Sequence, residues 1–371
     1  MNQSGKLIIG LTGNIASGKS LVRRFLEHEG AFGIDADLLA RQAVLRGTEG
    51  YGKVLAAFGE EMIAADGEID RKRMAALVFS NPLALEKLEA IIHPYVHEYI
   101  NQMLENTSQK IIVIEAIKLL ESRTKELCDQ IWVVAASREK QIERLMGDRG
   151  MTLEGATLRV SAQPDPQLKV NQADVVIHNS GSLLDLWKAV DRNWQAFLEK
   201  YNLWPEEDVK YTYLTGGKLQ LRKGTPGNAG KISDFLQSQM GGGDAINQEE
   251  ILQSFADTYY RLIMDDEQIK GLAAWQIHGS LLKINRWVMD NSINSEEITT
   301  ELLKEVENSP ANPQGAISLI LSRDSLTIFP EVLENLGFEL VSPHENHYPL
   351  PARELHLMSD PLAGIYMKTL K

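Results

Sequence analysis

One cysteine, Cys128, is present in 371 residues. A single thiol excludes any internal disulfide and suits a reducing compartment, so a cytoplasmic location is expected. Cys128 falls in an apparent helix over residues 122–128, where a half-buried thiol is a better reading than a nucleophile. Long apolar runs are missing too. No stretch approaches the roughly 18 residues that span a bilayer, and no Lys/Arg cluster precedes an apolar core near Met1, so neither a membrane span nor a signal peptide is expected. Internal repeats and low-complexity tracts are absent as well. Positive charge is scarce where a nucleic-acid binder needs it: the net charge is −13, and residues 206–371 account for −10 of it, against −3 for residues 1–205. Affinity for a polyanion comes mainly from Lys and Arg, so no nucleic-acid partner is expected.

What is present is globular: 43% hydrophobic and 24% charged residues, in a chain long enough for two or three domains. Gly13-Asn14-Ile15-Ala16-Ser17-Gly18-Lys19-Ser20 follows the apolar run Leu7–Leu11 and precedes a helical stretch from Ser20 to His28. The spacing is that of a phosphate-binding loop between a buried strand and a helix. Its backbone N–H groups can converge on phosphate oxygens, with the helix dipole behind them. Lys19 can reach the β- and γ-phosphates and the Ser20 hydroxyl can ligate Mg²⁺, so ATP with Mg²⁺ is the expected ligand. Asn14 tolerates a left-handed backbone. Ala16 is compatible with the loop only where its φ is negative.

Residues 6–200 alternate strands (Leu7–Leu11, Ala31–Ile34, Ile111–Glu115, Gln130–Ala135, Asp174–His178) with helices (Ser20–His28, Asp37–Leu45, Arg71–Ser80, Ala84–Asn106, Arg138–Met146, Leu183–Tyr201). The alternation predicts an α/β fold with a parallel sheet and ligands at the carboxyl ends of its strands. Residues 204–217 read as a linker between domains at 1–203 and 218–371. Beyond it, Leu219–Arg222, helices at Ala229–Met240 and Gln248–Phe255, strands at Tyr259–Asp265, Gln268–His278 and Leu282–Val288, a helix at Ser295–Asn308, a strand at Ala316–Leu321, a helix at Pro330–Leu336 and a strand at Leu362–Thr369 predict an α+β unit. Met240–Asp244 reads as a glycine-rich loop.

Asp35 and Asp37 sit at the tip of the second strand beside the loop, where a carboxylate can take the proton of an acceptor hydroxyl. The position of Asp37 also permits a helix N-cap. Asp70 reads as a cap, leaving Arg71 either solvated or on the acceptor. His93-Pro94 interrupts a helical run, with a kink or restart expected there and His93 as a buried hinge partner or a base. Arg144 and Arg149, flanking an expected helix end at Gly147, suit a segment that closes over the γ-phosphate, or a solvated basic face. Arg159 and Gln163 are four apart on one helix face. Asn179 ends the last strand, as a nucleobase reader or a turn residue.

In order and spacing, Leu11-Thr12-Gly13, Gly18-Lys19-Ser20, Asp35-Ala36-Asp37 with Arg41, Phe58-Gly59, Asp66-Gly67 with Asp70-Arg71, His93-Pro94, Gln141, Arg144, Arg149, Gln163, Ala173-Asp174 and Asn179 resemble dephospho-CoA kinases over residues 6–200. The resemblance implies a P-loop kinase fold with parallel sheet and lid. It implies transfer of the ATP γ-phosphate to the 3′-hydroxyl of dephospho-CoA, with Asp37 or Asp35 on that hydroxyl and Lys19 and Ser20 on the triphosphate and Mg²⁺. Arg144 and Arg149 fall in the lid, Asn179 on the cofactor, and Arg41, Arg71 and His93 on the acceptor side. The run Ile117-Lys118-Leu119-Leu120-Glu121 departs from the family's Pro-Leu-Leu-x-Glu. Another small acceptor, or a scaffold that binds ATP without turnover, are the alternatives. Residues 218–371 more distantly resemble GNAT-type N-acetyltransferases, through the element order and Leu333–Glu339. Their glycine-bearing pyrophosphate turn is replaced by Met289–Ser295, which has no glycine and carries Asp290, so no acetyl transfer is expected.

Overall fold

The computed structural model describes residues 5–203, 209–214, 217–239, 246–278, 281–293, 295–309, 318–321, 330–341 and 365–368. Two compact units divide the chain, Met1–Tyr201 and Asn202–Lys371. In the first, β1 (Leu7–Thr12), α1 (Lys19–His28), β2 (Phe32–Asp35), α2 (Ala36–Gln42), α3 (Glu49–Phe58), α4 (Arg71–Ser80), α5 (Pro82–Asn106), β3 (Ile111–Glu115) and β4 (Gln130–Ala135) are followed by α6 (Arg138–Arg149), α7 (Leu153–Ser161), α8 (Pro166–Val170), β5 (Val175–His178) and α9 (Leu183–Tyr201). The sheet is parallel throughout in the order β2-β3-β1-β4-β5. Near-continuous Val/Ile/Leu strands such as β3, buried at every position, require cover on both faces. Ile34, Ile100, Leu104, Ile112 and Ile114 form one core, with α2 and α5 over the sheet. Phe25 of α1 meets Trp187 of α9 edge-on at 5.5 Å, and Trp132 of β4 meets Phe197 of α9 at 6.4 Å. A Cβ at Gly10 would lie 2.6 Å from Cys128 Sγ, so β1 passes this thiol too closely for any side chain.

Several local expectations change. The stretch at 122–128 holds a short 3₁₀ turn, Arg123–Leu127, instead of an α-helix. α5 runs unbroken through Pro94: buried Val96, Ile100 and Leu104 anchor it beyond the proline, and His93 is exposed instead of forming a buried hinge. α6 passes Gly147 and stops at Gly150, whose φ of 59° is left-handed. α7 ends at Ser161, leaving Gln163 outside the helix that carries Arg159.

The second unit contains β6 (Val209–Leu214), β7 (Gly217–Lys223), α10 (Ala229–Gln239), α11 (Gln248–Ser254), β8 (Thr258–Asp265), β9 (Gln268–His278), β10 (Leu281–Met289), α12 (Glu296–Glu307), β11 (Ser318–Leu321), α13 (Pro330–Asn335), β12 (Glu339–Val341) and β13 (Ile365–Met367). Its larger sheet runs β11-β10-β9-β8-β7-β6, antiparallel except for the β10–β11 pair. Residues 209–214, read above as linker, are strand: every residue of Val209–Leu214 is in register with β7. Alternating β-branched and aromatic residues suit that pairing. α12 and α13 cover one face through Leu302, Leu303, Val306, Val332 and Leu333 against Ile263, Trp275 and Trp287. A buried ion pair, Arg261 to Glu305 at 2.6 Å, joins β8 to α12. The Gly-rich loop at 240–244 and half of the strand expected over 362–369 lie outside the described residues.

Candidate active site

The parallel strands, in the order β2-β3-β1-β4-β5, all end on one edge of the sheet, and the loop Gly13–Ser20 leaves β1 at that edge. Gly18 caps α1 with φ 95°, and a Cβ there would lie 2.1 Å from Asn179 Nδ2. Ala16 is also left-handed, at φ 54°, against the expectation of a negative value, while Asn14 is not. The strain at Ala16, about 1–2 kcal/mol for a non-glycine residue, is offset by bonds that hold the loop from outside. Ile15 N–H donates to Gln163 Oε1 at 2.6 Å, and Asn14 Nδ2 donates to the Pro164 carbonyl at 3.0 Å. Asn179 Nδ2 donates to the Ser17 carbonyl at 2.8 Å, and Arg144 donates to the carbonyls of Ala16 and Asn179 and to Asn179 Oδ1. Asn179 is thus buried with both ends of its amide engaged, by the loop and by Arg144. Arg144 clamps with it, and Arg149 is exposed at the end of α6.

Within the loop, Lys19 is only 7% exposed, with Nζ 3.4 Å from the Asn14 carbonyl, and burial lowers its pKa. Glu115, Asp37 and Asp35 act against that lowering, which puts all three carboxylates within electrostatic reach of the ammonium. Ser17 is 1% exposed and its hydroxyl has no partner among the described residues. Such an orphaned buried polar group fits an anion seated in the loop.

Asp35 proves to be the N-cap, its carboxylate accepting Leu38 N–H at 2.8 Å, so the cap proposed for Asp37 lies two residues earlier. Asp37 Oδ2 instead accepts the Ile117 N–H at 3.3 Å. Burial raises the Asp37 pKa, with Asp35 and Glu115 adding to the rise and Lys19 and the Ile117 N–H opposing it. Arg41, Arg71 and His93 are exposed, and Asp70 caps α4. Lys118 pairs with Glu89.

Three residues that were given no role in the sequence take part in the site. Glu115, 4% exposed at the end of β3, accepts from Ser20 Oγ at 2.7 Å and from Arg23 Nε at 2.8 Å. A lone acid closing an apolar strand beside the loop was the available signal. Thr12 and Lys169 meet at the Ile117 carbonyl. Nothing in the local pattern around Lys169 marks it. Ser20 and Glu115 together offer the hard oxygen donors that Mg²⁺ prefers.

Comparison with known proteins places this arrangement. The dephospho-CoA kinase family model matches residues 7–185. A dephospho-CoA kinase of Geobacter sulfurreducens is 40% identical over 190 residues, covering 50% of this chain and 96% of the relative. One from Carboxydothermus hydrogenoformans is 44% identical over 179 residues, covering 47% and 87%. A solved acetyltransferase of the GNAT family from Streptococcus pneumoniae is similar at 12% identity and a TM-score of 0.30, covering 41% of this chain and 99% of that one. With nearly the whole length of such relatives matched by its first unit, the chain belongs to the dephospho-CoA kinase family.

Proposed function

We propose that, in the ATP-dependent phosphorylation of dephospho-CoA to coenzyme A and ADP, Asp37 orients the ribose 3′-hydroxyl and accepts its proton. The observation that carries this is a half-buried carboxylate of raised pKa within electrostatic reach of Lys19 at one strand-end edge. As the 3′-oxygen bonds to the γ-phosphorus, the bridging bond to ADP breaks. The amides of Gly13–Ser20 and Lys19 stabilise the charge that develops on the phosphate oxygens. Ser20, with Glu115 behind it, would hold Mg²⁺, which supplies charge neutralisation on the β- and γ-phosphates. Asn179 and Arg144 keep the loop formed. Arg149, near enough to Lys19 to lower its pKa, is the guanidinium available to close over the γ-phosphate. Arg41 and Arg71 offer exposed positive charge to the acceptor, and His93 is assigned to acceptor binding with them. Coupled ADP release should require dephospho-CoA and Mg²⁺, vanish in Lys19→Ala, and fall about 10²–10⁴-fold in Asp37→Asn. Undiminished turnover in Asp37→Asn would refute the assignment.

The second unit is read here as an acetyltransferase-like fold without the activity. Asp290 Oδ1 already takes the Ser292 N–H at 2.8 Å, and Glu296 and Glu297 occupy the first turn of α12. Carboxylates there oppose an incoming pyrophosphate. Incubation with radiolabelled acetyl-CoA and a panel of amines should give no labelled product, and turnover typical of an enzyme would overturn this reading.

A further inference from the structure

Lys169 is 5% exposed, yet among the described residues no carboxylate lies within ion-pair distance of it. Its Nζ donates to the Ile117 carbonyl and lies 3.3 Å from Thr12 Oγ1, and Thr12 Oγ1 donates to the same carbonyl at 3.1 Å. The N–H of Ile117, at the other end of that residue, is the one that holds Asp37. Burying a cation against two neutral oxygens is costly, and burial duly lowers the Lys169 pKa. Such a cost is sustained at sites where the fixed geometry serves chemistry. We propose that Lys169, with Thr12, is a positioning residue: it pins Ile117 so that the Ile117 N–H keeps Asp37 aimed and ionised for the acceptor hydroxyl. The inference rests on the assignment of Asp37 made above.

The groups facing Asp37 set the direction of the test. Burial, Asp35 and Glu115 favour its protonated form; Lys19 and the Ile117 N–H favour the carboxylate. Lys169 lies within electrostatic reach of Asp37, Lys19 and Glu121. Releasing Ile117 removes one of the influences that hold the carboxylate, so the acid limb of kcat moves to higher pH. Lys169→Met keeps the length of the side chain and deletes a buried charge, so the fold should survive. Because it also deletes a positive charge near Asp37, Thr12→Val is the companion variant, changing no charge.

In the full-length enzyme, Lys169→Met should lower kcat about tenfold or more at neutral pH, with KM for ATP within about twofold. Its acid limb should move upward, and Thr12→Val should move the limb the same way. Added to Asp37→Asn, Lys169→Met should cost no more than about a further twofold, because both act on one group. An unmoved limb in both variants, or losses that multiply in the double variant, overturns the inference while leaving Asp37 in place. Full turnover in Asp37→Asn removes Asp37 and this inference together.

Discussion

Asp37 is held where ionisation is opposed, and the sign of that opposition has a measurable effect on stability. Its folded-state pKa lies above the unfolded value, so between the two the folded protein binds more protons than the unfolded chain. This contribution is complete below the unfolded pKa, near 4, and is lost as pH rises through the folded one. At pH 7 the group therefore destabilises the fold, and Asp37→Asn should raise the melting temperature there while abolishing most activity. The advantage should shrink as pH falls through the folded pKa and be smallest below about 4, and a variant less stable than the parent at pH 7 contradicts the account. Asp37 stood out in the sequence because an acid just past the end of a strand beside a phosphate loop can serve an acceptor hydroxyl as well as cap a helix. Glu115 shared that position and was passed over as the end of a strand. Lys169 reaches Thr12 across 157 positions of chain, and no local spacing encodes such a contact.

At the scale of elements, the phosphate loop holds a backbone its own residues would not choose. Ala16 at φ 54° is kept there by Gln163, Asn179 and Arg144 acting on its neighbours and its carbonyl. Ala16→Gly should relieve about 1–2 kcal/mol of strain and lose about 0.4–1 kcal/mol to the freer unfolded chain. Urea unfolding should then show a gain of up to about 1.6 kcal/mol with KM for ATP not increased; a loss of about 1 kcal/mol would mean that the left-handed residue is not strained. The long periodic elements of the first unit were readable because buried strands and amphipathic helices repeat strongly enough to identify. Short pieces were not. α8 is five residues begun by Pro166, and β6 follows a Pro and three acids that read as a break in the chain. The helix end expected at Gly147 moved to Gly150 because the left-handed stop, and not glycine content alone, decides where a helix finishes.

Across the whole molecule, each of the two units encloses its own apolar core, and the acidic surplus belongs mostly to the second. The site residues, Gly13 through Asn179, fall in the first. That division follows from chain order: strand–helix alternation before residue 201 and antiparallel hairpins after it cannot share a sheet plan. The tight passage of β1 over Cys128 has a practical consequence. Burial pushes that thiol up to about 12, so almost none of it is the thiolate that alkylating reagents attack. Since the second unit has no cysteine, capture of this sulfur by iodoacetamide works as a stopwatch on opening of the kinase half alone. Saturating nucleotide, at a hundred times its dissociation constant, should slow that clock by about 100-fold, and labelling that runs equally fast with and without ATP would show that the sulfur escapes by some smaller local breathing.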